Sequence, residues 1–133
     1  MEDRMIMYCR GIRGATTSEA NTPDAILRAT RELLLLLIEA NDLDSADIGS
    51  VIFSTTPDLN AEFPALAARE LGWHDVALIC THEMAIPKAL PMCIRVLIHW
   101  NTPKSQTEIK HVYIKGARSL RPERGVELAP AIA

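Results

Sequence analysis

Apolar and polar positions change period several times along the chain, and each change marks an element. From Met5 to Ile12, residues Ile6, Tyr8, Arg10 and Ile12 alternate with Met7, Cys9, Gly11 and Arg13, which is the period of a strand. Neither set is cleanly polar, so the pattern predicts a strand covered on both sides, with Arg10 and Arg13 projecting from its C-terminal end. Gly11 and Gly14 permit tight backbone geometry around Arg13, and Ala15 to Ser18 read as a small polar loop. The period lengthens after Thr22-Pro23-Asp24, which supplies an N-cap, a proline at the first helical position and an acid at the positive end of the dipole. Ile26, Leu27, Thr30, Leu33, Leu34, Leu37 and Ile38 then form one helical stripe that runs to about Ala40. Leu35 and Leu36 lie off that stripe, where exposed leucines would hint at a subunit contact.

Asn41 and Asp42 break the helix, and Asp44 to Asp47 read as a short helical turn. A second strand follows from Ser50 to Thr55, then a short helix from Ala65 to Leu71 with Gly72 in the C-cap role. Val76 to Cys80 predicts a third strand, Pro87 to Cys93 a turn or short helix, and Ile94 to Trp100 a fourth strand. In that fourth strand Arg95, Leu97 and His99 face away from Ile94, Val96, Ile98 and Trp100. Thr102 to Gln106 is expected to be a loop, and His111 to Ala117 a fifth strand with Tyr113 opposite Val112 and Ile114. The whole predicts one domain over residues 1–122, followed by a flexible tail over residues 123–133 without clear periodicity.

Composition narrows the class. The net charge of -3 comes with scattered lysines and arginines and no basic run, which leaves no electrostatic footprint for nucleic acid. The longest apolar run, Leu33 to Ile38, is far short of the roughly 20 residues that span a bilayer, and the charged start of the chain does not resemble a signal peptide. Three cysteines without CxxC spacing fit a reducing compartment, so a cytoplasmic location is expected.

The candidate chemistry centres on Glu83 and Arg95, joined by a short turn. Glu83 follows an apolar strand at the point where the chain leaves the sheet, and Arg95 lies inside an apolar run where a guanidinium needs an anionic partner. On residues alone, a structural ion pair and a functional pair both remain open. Arg13, Arg69, Arg121 and Tyr113 join them as groups suited to a small dicarboxylate with a hydroxyl, because guanidinium forks match carboxylates. Arg69, late in its helix, also reads as an ordinary solvated arginine. RGIRGATT lacks the spacing of a phosphate loop. Cys80, His82, Glu83, Cys93 and His99 are possible metal ligands, yet their spacing matches no zinc pattern. A nucleophilic Cys80 beside His82 lacks an orienting third group.

Seven short segments then occur in order: RGIRGATT from Arg10, TPDL from Thr56, FPA from Phe63 with ARELGW ending at Trp73, EM at Glu83, CIRV from Cys93, HVY from His111 and LRP from Leu120. Together they closely resemble the monofunctional chorismate mutases of the AroH class. The resemblance implies an α+β fold, a mixed five-stranded sheet with helices packed on one face. It also implies a homotrimer with a pseudo-α/β-barrel core and active sites between subunits. The implied reaction is the rearrangement of chorismate to prephenate in phenylalanine and tyrosine biosynthesis, without cofactor, metal or covalent intermediate.

By the same resemblance, Arg95 would donate to the ether oxygen, Arg13 would hold a carboxylate and Glu83 the ring hydroxyl, with Cys80 and Tyr113 near the reacting atoms. Phe63, Ala65, Leu66, Arg69, Leu120 and Arg121 would line the neighbouring wall. Leu66 departs from the family, which often carries a lysine there. The rival from another class is a non-catalytic trimeric binder of small carboxylates that uses the same arginines.

Overall fold

The computed structural model describes residues 5–121. The expected tail after Pro122 therefore lies outside the described residues. Five strands form one mixed sheet: β1 (Tyr8–Thr17), β2 (Ile48–Thr55), β3 (Ala77–His82), β4 (Cys93–Thr102) and β5 (Val112–Tyr113). Their spatial order is β3-β2-β4-β1-β5. β4 pairs antiparallel with both β1 and β2, while β3 and β5 add parallel at the two edges. Two helices, α1 (Pro23–Asn41) and α2 (Ala65–Glu70), cover one face. The core lies between them and that face and includes Ile12, Leu33, Leu37, Phe53, Val96 and Ile98.

α1 forms where the sequence predicts it. The Thr22 hydroxyl accepts from the Ala25 N–H, and Asp42 closes the far end in the left-handed conformation with φ 55°. Asn41, the last helical residue, is buried and donates to the Leu37 and Lys110 carbonyls while accepting from the Lys110 N–H. Leu35 is exposed, but Leu36 is buried in the main core, because its position one turn beyond Leu33 still reaches the packed side.

Several strand limits differ from the expectation. β1 begins at Tyr8 and continues through the stretch read as a loop, to Thr17, because Gly14 to Thr17 have partners on β4 and Gly14 and Ala15 also pair with β5. Arg10 and Arg13 thus lie within the strand and on opposite faces, rather than at its end. β4 is longer than predicted at both ends. β5 is much shorter: Lys115 adopts φ 53°, which stops the strand, and a 3-10 turn runs from Lys115 to Leu120. Residues 87–92 form turns without a helix.

Gly14 acts through close approach. A Cβ built on it would meet Leu37 Cδ1 at 2.9 Å, Val96 Cγ1 at 3.1 Å and Leu33 Cδ1 at 3.2 Å. The α1 leucines thus pack directly on the β1 backbone. Gly14→Ala is expected to destabilise the protein by about 1 kcal/mol or more, since overpacking outweighs the entropy gained in the unfolded chain. Thermal unfolding followed by circular dichroism should show a Tm lower by about 3 °C or more.

Candidate active site

Strand alternation decides which side chains meet. On the face away from the helices, Ala15 pairs with both Arg95 and Tyr113, and Arg95 pairs with Ser54. The small residues Ala15 and Ser54 flank Arg95 and leave an open hollow of about 230 Å³ in which Arg13, Glu83, Arg95 and Tyr113 all take part. Arg95 Nε lies 3.4 Å from Glu83 Oε2. Glu83 is held at the strand end by its own N–H, which donates to the Thr55 carbonyl. The Arg13 N–H donates to His111 Nδ1 at 2.9 Å, which requires the His111 tautomer with its proton on Nε2.

Arg95 is not buried, contrary to the reading of its apolar run. Its side chain is 45% exposed because the Ile94, Val96 and Ile98 side chains point to the helices while Arg95 points to the uncovered face. The ion pair expected for it exists, but at a partly solvated position where pairing alone contributes little stability. Tyr113 is 3% exposed and packs with Ala15 and Ala117, with Leu90 and Leu120 against that cluster. Leu120 therefore belongs with Tyr113 and not with the Phe63 wall. Arg121 directly follows it as the cap of the 3-10 turn.

Cys80 lies elsewhere. It pairs with Phe53, whose side chain is wholly buried under the helices, so it faces the other side of the sheet from Arg95. There it lines a second hollow of about 370 Å³ with Phe63, Pro64, Leu59 and His82. Burial pushes its thiol above the ordinary range, and the Ala65 backbone and Arg69 only partly oppose this. The Cys93 thiol is raised by burial too, against the pull of Arg95. Both cysteines are thus poorly suited to act as thiolates at neutral pH.

Ala65, Leu66 and Arg69 all lie on α2 beside the Cys80 hollow: Ala65 is buried, Leu66 half-buried and Arg69 exposed. Among the described residues, no group of three or more His, Cys, Asp or Glu is close enough to hold a metal. His99 Nδ1 engages Ser50 and His82 Nδ1 engages Thr55. No helix of the described residues is long and apolar enough to cross a membrane. Ala15, Ser54 and Leu97 were not anticipated as lining residues. Ala15 and Leu97 share the two-residue period of Arg13 and Arg95, whereas Ser54 joins them by pairing with Arg95 across β2 and β4, a relation readable only once the register is known.

Residues 9–124 match the chorismate mutase type I family. The chain belongs to that family. It is 50% identical over 115 residues to chorismate mutase AroH of Thermus thermophilus, covering 86% of this chain and 94% of the relative. It is 45% identical over 118 residues to chorismate mutase AroH of Bacillus subtilis strain 168, covering 88% and 93%. The structure of a chorismate mutase from Clostridium thermocellum superposes with a TM-score of 0.81 at 50% identity, covering 82% of this chain and 97% of that one. This type I chorismate mutase has the mixed five-stranded sheet with helices on one face that the resemblance implied. With the family shown, the non-catalytic carboxylate binder is not retained.

Proposed function

We propose that this type I chorismate mutase rearranges chorismate to prephenate in a site completed between two copies of the chain, within a cytoplasmic homotrimer. The activity itself, that of an isomerase in aromatic amino-acid biosynthesis, follows from the family. The observation that carries the shared site is the division of the candidate groups. Arg13, Glu83, Arg95, Tyr113 and Leu120 gather at one face of the sheet, whereas Phe63, Cys80 and α2 with Arg69 gather at the other. A second copy could place its Arg69 side over the Arg95 side of the first.

The uncovered face also suits such a contact. The row next to Arg95 runs through Leu97, Ile52 and Ile79, which are paired in register across β4, β2 and β3. Ile79 is 60% exposed. An apolar row on an otherwise open sheet favours burial against another copy.

Within that site the chemistry needs no nucleophile. A unimolecular rearrangement gains from holding the compact conformer of the substrate and from stabilising the charge that grows on the ether oxygen as its bond breaks. Arg95 would supply that donor, with Glu83 fixing the guanidinium and receiving the ring hydroxyl, and Arg13 would hold a carboxylate. Leu66 removes one cation from the facing wall. Arg69, three residues later on the same side of α2, remains as its cation.

Ile79→Asp tests the assembly. Ile79 lies on this apolar row, is exposed in the single chain and does not line the Arg95 hollow, so the fold should survive while the buried contact acquires a charge. Light scattering is expected to show a trimer for the natural chain and a monomer for the variant, with chorismate turnover reduced at least about a hundredfold because positioning across the contact is lost. A monomeric variant with full turnover would overturn the shared site.

A further inference from the structure

β5 ends in a turn whose backbone is unfavourable for the residue that occupies it. Lys115 has φ 53°, although Gly116 stands next to it and a glycine would adopt that conformation freely. The Lys115 side chain makes a specific contact from this position: its Nζ lies 3.1 Å from Glu32 Oε1 on α1. Glu32 is only 16% exposed, unlike the neighbouring Arg28–Glu19 pair, whose side chains are 68% and 78% exposed. The two pairs border a hollow of about 280 Å³. Each cation there already faces a carboxylate, so the hollow offers a ligand little charge and the Glu32 pair has another use.

That use follows from what the turn carries. The Gly116 N–H donates to Thr17 Oγ1, and a Cβ on Gly116 would come within 2.9 Å of Thr17 Cγ2, so the turn is seated tightly on the end of β1. Tyr113 lies two residues before Lys115 and Ala117 two residues after it, and Leu120 packs against the cluster that Tyr113 and Ala117 form with Ala15. The turn thus determines where the Tyr113 side of the Arg95 hollow sits and where the chain delivers Leu120 and Arg121.

We infer that Glu32 is a positioning residue for the substrate site, acting through Lys115 to hold this turn. It does not touch the hollow that contains Arg95. The inference rests on the assignment of Tyr113, Leu120 and Arg121 to substrate binding, and it adds a group on the far side of the sheet edge that this assignment does not include.

Steady-state kinetics with chorismate test it. Glu32→Gln, which keeps the shape and removes the charge, is expected to raise KM about threefold to fivefold and leave kcat within about twofold. Lys115→Met should do the same. The reversed pair, Glu32→Lys with Lys115→Glu, should recover most of the loss. A lower Tm with unchanged KM in both single variants, or no recovery in the reversed pair, would overturn the positioning role. Tyr113→Phe and Arg121→Ala are measured alongside. If neither alters KM or kcat, the substrate assignment has failed and the inference falls with it. If they do and Glu32→Gln does not, only the positioning role is lost.

Discussion

Arg95→Lys is expected to lower kcat by about a thousandfold or more, as loss of a donor aimed at developing charge does. Lysine keeps the positive charge but replaces a planar fork with a point charge on a shorter reach. In the folded chain Arg95 Nε lies 3.4 Å from Glu83 Oε2, and both side chains border the same hollow before substrate arrives. An ammonium can pair with Glu83 or reach the ether oxygen, but it cannot present two parallel N–H groups. The effect should appear in kcat far more than in KM, because the charge it serves exists mainly in the transition state. The loss of chorismate absorbance measures it directly. A near-normal kcat would leave the Arg95–Glu83 pair as a surface ion pair with no role in the chemistry.

Two inactive variants should restore each other. Arg95→Ala damages one half of the proposed site and Arg69→Ala the other, so each alone is expected to be nearly inactive. When equal amounts are unfolded together and refolded, random assembly draws the two halves of each site from two copies. About one site in four then receives both halves intact, which predicts about a quarter of the natural activity. A site built within one copy would give no recovery at all, because each chain would carry its own defect into every site it forms.

Much of the fold was legible because local chemistry and tertiary packing agree. Thr22-Pro23 starts α1 in the structure as in the sequence, and the stripe from Ile26 to Leu37 is its buried face. The second half of β1 was not legible. Gly14 and Ala15 carry no local strand signal and interrupt the alternation before the two β-branched threonines, and the stretch is extended because β4 and β5 supply its hydrogen-bond partners. Lys115 misled in the other direction, since an alternating pattern through His111 to Ala117 gives no sign that one lysine adopts a left-handed conformation.

The grouping of the candidate residues was only partly legible in the sequence. A charge within an apolar strand singles out Arg95 as a candidate, yet the burial read from its sequence neighbours fails because they point to the other face. Cys80 was grouped with Glu83 through proximity along the chain. The separation of three residues near the end of a strand instead leaves them on opposite sides of the sheet, so the thiol joins Phe63. Which side a residue takes depends on register, and register is set by partners distant in sequence.

As the two halves of the proposed shared site, the hollows on opposite sides of one sheet would restrict the symmetry that copies of this chain can use. A contact that joins unlike surfaces is heterologous, and a row of such contacts leaves one surface of each kind unused at its two ends. A two-fold dimer repeats one surface against itself and cannot join the Arg95 side of each copy to the Arg69 side of the other without a separate contact for each. A rotation that closes on itself removes the ends, and each copy then gives one half to a site on either side. Closure therefore makes the number of complete sites equal to the number of chains.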